Sequence, residues 1–276
     1  MADCNSCPSG STCSKDKSSC MIENNPMNNV KNIIGVMSGK GGVGKSTVSS
    51  LITKELRGMG FSVGILDADI TGPSIPRLMG VEKTRAVATQ TAIIPVETKE
   101  GIKVMSLNLL IDEENTPVIW RGPAIAGTVK QFWTDVLWEE LDYLIIDMPP
   151  GTGDVPLTVM QSIPLDGVVM VSVPQDMVSM IVAKAVNMSR QMNVDVLGVI
   201  QNMSYIECDE CKEKISLFDG EKSKAYFEDM NVKLLGELPM TRSIGALSSE
   251  DSTDSYLEAR EIFSPIVKNI IDNIKK

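Results

Sequence analysis

The chain has 276 residues, 43% of them hydrophobic, a formal net charge of −10 and no histidine. That is enough apolar material for a sizeable core in one or two domains, and the acidic balance argues against broad nucleic-acid or anionic-membrane binding. Without histidine, imidazole acid–base chemistry and His-containing zinc fingers are excluded, so any soft-metal site must be built from cysteine.

Residues 1–30 are small and polar, with no apolar periodicity, and are predicted to form a flexible arm. The arm carries Cys4, Cys7, Cys13 and Cys20; the other two of the six cysteines are Cys208 and Cys211. Nothing resembles a signal peptide and no apolar run approaches the ~20 residues of a membrane span. A cytoplasmic protein with reduced thiols is therefore expected rather than a disulfide framework.

From residue 31 to 276 one α/β domain is expected. Strands are predicted at 33–37, 63–67, 102–107, 143–147, 168–173, 196–201 and 234–238. They read as nearly continuous Val, Ile, Leu and Met, as strands covered on both faces do. Helices are predicted at 47–59, 123–137, 177–192, 223–230 and 256–274. The β-α alternation implies a doubly wound, mostly parallel sheet. Residues 84–101 break the alternation and suggest an inserted hairpin.

The first strand leads into Gly39–Lys40–Gly41–Gly42–Val43–Gly44–Lys45–Ser46–Thr47 and then a helix-like run. Strand, glycine loop and helix are the context of a phosphate-binding loop, and the spacing fits G-x-x-x-x-G-K-[ST] in full. Backbone N–H groups and the helix's positive end would cradle phosphates. Lys45 would reach the β- and γ-phosphates of ATP, and Ser46 would hold Mg²⁺. Lys40 is not required by the general loop; it is either a solvated loop lysine or a second phosphate ligand.

Further signals lie at strand ends, where ligands sit in such sheets. Asp67 and Asp69 close the second strand and can orient a Mg²⁺ shell and an attacking water, unless Asp67 merely caps the turn that follows. Asp147 ends an apolar strand in the Walker-B manner and precedes Pro149–Pro150–Gly151, a turn able to present a backbone N–H to a γ-phosphate. Asn202 can pair with one edge of a purine or cap its strand, and the loop at Pro239 can close over the base.

Cys208–Asp209–Glu210–Cys211 is a C-x-x-C pair, but tetrahedral zinc or a four-iron cluster wants four ligands. The missing pair must come from the arm or from a second subunit, which a two-fold dimer supplies naturally. Zinc, an iron–sulfur cluster and a redox-active thiol pair all remain open on spacing alone.

The string KGGVGKST resembles the deviant phosphate loop of the MinD/ParA/Mrp superfamily of dimeric ATPases. With WRGP (Trp120 to Pro123), DMPPGTGD (Asp147 to Asp154), QNMS and the following C-x-x-C, residues 31 to about 270 look like the Mrp/ApbC-type iron–sulfur carrier ATPases. The resemblance implies that Lys40 crosses a homodimer interface to the partner's phosphates, that Asp69 positions water and that Asp67 lies on the metal side. It also implies that Asn202 contacts adenine and that Cys208 and Cys211 of two chains share a [4Fe–4S] cluster passed to apo iron–sulfur proteins. Cys4, Cys7 and Cys13 resemble three ligands of a second, N-terminal cluster in the eukaryotic scaffold branch. That branch places its fourth cysteine upstream, whereas Cys20 lies downstream. Spacing assigns no role to Trp120 or Arg121.

A rival function is that of a MinD/ParA-like positioning ATPase with structural zinc at the C-x-x-C. Ile262, Ile266, Ile270 and Ile274 would then form one face of a membrane-surface helix rather than core. Neither nucleic acid nor a membrane is expected as a partner under the leading reading.

Overall fold

A computed structural model describes residues 21–70, 72–111, 122–208, 210–211, 213–216, 218, 220–241 and 252–274. The four N-terminal cysteines, Trp120 and Arg121 lie outside these residues.

Strand β1 (Asn29–Ser38) is the centre of the sheet, with its last six residues fully buried. It pairs in parallel with β7 (Glu140–Asp147) on one side and β8 (Gly167–Ser172) on the other. Beyond β7 come β2 (Val63–Asp67) and β6 (Lys103–Met105), both parallel. Beyond β8 comes β9 (Val196–Glu207), which pairs in parallel with β11 (Leu234–Pro239). The sheet is mostly parallel, as the uninterrupted apolar strands require, because helices cover both faces. Two short outer strands are antiparallel: β5 (Val96–Glu97) on β6 and β10 (Lys214–Ser216) on β9.

Helix α1 (Lys45–Gly58) follows β1 and buries Val48, Leu51, Ile52 and Leu56. α2 (Ile75–Leu78) is a single turn after β2. The helices α3 (Gly122–Thr134), α4 (Asp154–Ser162), α5 (Asp176–Gln191), α6 (Gly220–Asp229) and α7 (Ser252–Ile274) complete the layers. The inserted segment holds two small pairings rather than one: β3 (Val87–Ala88) with β4 (Ile93–Ile94), and β5 with β6.

One expectation of the leading reading changes, and one of the rival reading falls. The polar segment is docked from Ile22 onward: the Ile22 N–H donates to Ser162 O, and its carbonyl accepts from Trp133 Nε1, each at 3.0 Å. The isoleucine stripe of α7 is core and not a membrane face. Ile266 and Ile270 are buried, and Asn269 and Asn273 of the same helix donate to the carbonyls of Leu235 and Leu197. Among the described residues no helix is long and apolar enough to cross a membrane.

Candidate functional site: a phosphate loop and a cysteine hairpin joined by one strand

The carboxyl ends of β1, β2 and β7 converge on a cleft of about 370 Å³. One wall is the glycine loop and the start of α1: Gly41, Gly42, Gly44, Lys45, Ser46 and Thr47. The other is Asp69, Ser74, Arg77 and Leu78 from the segment after β2, with Pro150 from the turn after β7. Gly39 does not line it; it packs against α5, where a Cβ would strike the backbone of Ile181. Lys40 is exposed at the loop's shoulder, and its carbonyl accepts from Ser38 Oγ at 3.0 Å.

Gly44 caps α1 in the left-handed region, at φ 81°. A side chain there is also blocked in space, because its Cβ would collide with Asn202 Nδ2. That amide donates to Val43 O at 3.0 Å, so β9 holds the phosphate loop by its backbone. Asn202 is buried, and its Oδ1 has no hydrogen-bond partner.

Beneath the loop lies a buried polar cluster. Lys45 Nζ contacts Asp147 Oδ1 at 2.8 Å, with Lys45 6% exposed and Asp147 fully enclosed. Ser46 Oγ donates to Asp147 Oδ2 at 2.6 Å, and Ser49 Oγ donates to Oδ1 at 2.7 Å. Adjacent strands place Asp67 beside Asp147 in register. Burial, and then the neighbouring Asp147 charge, push the Asp67 carboxyl up to about 8. Its Oδ1 accepts from the Asp69 N–H at 3.1 Å. Its Oδ2 accepts from the Ile75 N–H at 3.3 Å and Ser106 Oγ at 3.2 Å. Asp67 therefore does cap the turn that follows it, whatever further role it has. The cluster is hard and oxygen-rich, with two buried carboxyl groups and two serine hydroxyls beside one ammonium, and this donor set fits Mg²⁺.

Besides Gly39, the expected ligands Lys40, Val43, Asp147, Gly151, Asn202 and Pro239 stand back from the cleft lining. The Gly151 N–H, the proposed γ-phosphate sensor, donates to Ser38 O at 2.8 Å. Pro239 is buried at the end of β11, in register with Tyr205 of β9. Ser49 and Arg77 were not singled out from sequence. Ser49 carried a signal, a hydroxyl four residues past Lys45 on the apolar face of α1.

The second site lies along β9. The strand runs six residues past its predicted end at Gln201, through a left-handed Met203 at φ 53° and a register shift against β11. It then turns into a hairpin with β10, closed by the Cys208 N–H donating to Glu213 O at 3.0 Å. Cys208 is half-buried and Cys211 exposed at this tip, and they are the only cysteines among the described residues. Ile206 and Ile215, directly opposite each other in the hairpin, are also exposed.

The family model of the NUBPL iron-transfer P-loop NTPases, of the ParA type, matches residues 29–275. The chain belongs to this family. It is 48% identical over 249 residues to the iron–sulfur cluster carrier protein of Clostridium perfringens, across 88% of this chain and 87% of that one. The nucleotide-binding protein of Archaeoglobus fulgidus, solved in complex with ADP, superposes with a TM-score of 0.72 at 42% identity. That match covers 82% of this chain and 89% of the other. The septum site-determining protein MinD of Pyrococcus horikoshii, solved with Mg-ADP, shares the fold at 19% identity and a TM-score of 0.61, over 90% and 99% of the two chains. Family membership agrees with the resemblance drawn from KGGVGKST, DMPPGTGD and QNMS, and with the doubly wound P-loop architecture expected from the strands.

Proposed function

We propose that this member of the iron-transfer P-loop NTPase family binds and slowly hydrolyses ATP in the glycine-loop cleft. It carries a [4Fe–4S] cluster on Cys208 and Cys211 of two facing copies and passes it to apo iron–sulfur proteins in the cytoplasm. The observation that carries this is the sharing of one strand: β9 holds the phosphate loop through Asn202 and delivers Cys208 to the hairpin tip. Two thiols per chain fill half a cluster's coordination, so a second copy completes it.

Within the cleft, Lys45 and the loop N–H groups would bind the β- and γ-phosphates. Lys40, exposed on the shoulder, would reach a partner's phosphates. Asp69 would orient the attacking water for in-line displacement. Mg²⁺ would be held by Ser46, with Asp67 and Asp147 behind it, and when bound it neutralises phosphate charge. Among the described residues no strong general base lines the cleft, which fits slow turnover. Asn202 would contact adenine through its unpartnered Oδ1, with Pro239 beyond it.

Anaerobic purification followed by iron, sulfide and zinc analysis tests the carrier role. About two irons and two sulfides per chain are expected, lost in Cys208→Ala while ATP binding persists. Stoichiometric zinc, or iron unchanged in Cys208→Ala, overturns it and returns the hairpin to a structural-metal role or to none.

A further inference from the structure

The cleft wall facing the glycine loop contains a cation that the family motifs above do not account for. Ser74, Arg77 and Leu78 fall on one side of the α2 turn and line the cleft. Ile75, Pro76 and Met79 fall on the other and are buried. Positions three and four apart share a helix face, so core packing of one side fixes presentation of the other. The turn is further tied to the cluster under the loop, since the Ile75 N–H and the Ser106 hydroxyl meet on the same oxygen of Asp67. Pro76 at its start removes backbone freedom. Arg77 is thus mounted on a short, anchored turn rather than a free loop.

Charge and strand order assign it a ligand. Among the described residues lining the cleft the cations are Lys45, on the glycine-loop side, and Arg77, on the facing wall. A nucleoside triphosphate brings several negative charges, and a guanidinium fork matches phosphate oxygens in pairs. β9, with Asn202, lies two strands from β1 on one side; β2, which leads into α2, lies two strands away on the other. A nucleotide seated on the loop after β1, with its base toward β9, therefore turns its terminal phosphate toward α2. Asp69 stands on that same wall.

Resting on the nucleotide assignment of the cleft, we propose that Arg77 binds the terminal phosphate of the bound triphosphate, so that the α2 wall distinguishes ATP from ADP. Titration calorimetry on the full chain, with Mg²⁺ and either ADP or a non-hydrolysable ATP analogue, tests this in Arg77→Gln and Arg77→Lys. Arg77→Gln should weaken the analogue at least tenfold and leave ADP within about twofold, and Arg77→Lys should recover part of the loss. ADP binding serves as the folding control. Equal losses for the two nucleotides, or none for the analogue, overturn the role of Arg77 while leaving the cleft a nucleotide site. Failure of the unsubstituted protein to bind either nucleotide overturns both.

Discussion

Gly44→Ala, taken with Asn202→Ala, probes the joint between the phosphate loop and β9. A non-glycine residue held in the left-handed region costs about 1–2 kcal/mol. At position 44 the new methyl group also evicts the Asn202 amide from Val43 O. Losing a buried hydrogen bond adds about 0.5–1.5 kcal/mol, and leaving the carbonyl unpaired brings the total to about 2–4 kcal/mol. Asn202→Ala alone strips the same carbonyl and should cost about 1–3 kcal/mol. In the double variant no amide remains to be displaced, so Gly44→Ala should then cost only its backbone share. The cycle should fall short of additivity by about 1–2 kcal/mol in urea unfolding without nucleotide. Costs that add to within about 0.5 kcal/mol would mean that the amide and the glycine do not compete for this space, and would refute the coupling.

Four other substitutions address the charge cluster and the loop. Lys45→Met should remove nucleotide binding, and by stranding the enclosed Asp147 should lower stability by about 3–5 kcal/mol; urea midpoints should show much of this recovered in Lys45→Met with Asp147→Asn. The raised Asp67 carboxyl keeps its proton in the native state between pH 3.8 and about 8, where the unfolded chain has lost it. Native stability from this group therefore falls as pH rises through that window, and the stability of the wild type relative to Asp67→Asn should fall from pH 5 to pH 8 in nucleotide-free melts. Lys40→Ala should reduce ATP turnover at least about tenfold while ADP affinity, measured by calorimetry, stays close to wild type.

Strands buried on both faces were the legible part of the chain. β2 is bounded at Val63 and Asp67 as expected, because every residue in it is apolar or glycine until the carboxylate. The phosphate loop, Asp147 and the C-x-x-C pair were equally plain, since their chemistry demands fixed residue types at fixed spacing. Elements that owe their shape to tertiary anchors were not legible. α2 is one turn in a Gly-Pro-Ser-Ile-Pro stretch that reads as loop, and it is held by Asp67, a residue eight positions upstream. β10 has three exposed residues and no apolar signature; β9 dictates it by pairing. α4 did leave a trace in Val155, Val159 and Met160, but the preceding Pro-Pro-Gly obscured it. Arg77 had no signal, because its position in the cleft depends on that same anchored turn. The exit of β9 past Gln201 was hidden by its polar residues, although Ser204 and Tyr205 are buried there.

The bend at Met203 bears on how the protein can vary. From Asn202 to the first thiol is six residues of extended chain, roughly 20 Å at a strand's rise. Lengthening that span would leave a sound cradle for phosphate and a sound pair of sulfurs, each deaf to the other. Shortening it would draw the sulfurs in toward the sheet and away from any facing copy. On the proposed function, the reach between the two chemistries is a molecular ruler, cut to length by one stretch of backbone, and its gauge is set at that stretch's left-handed step, Met203.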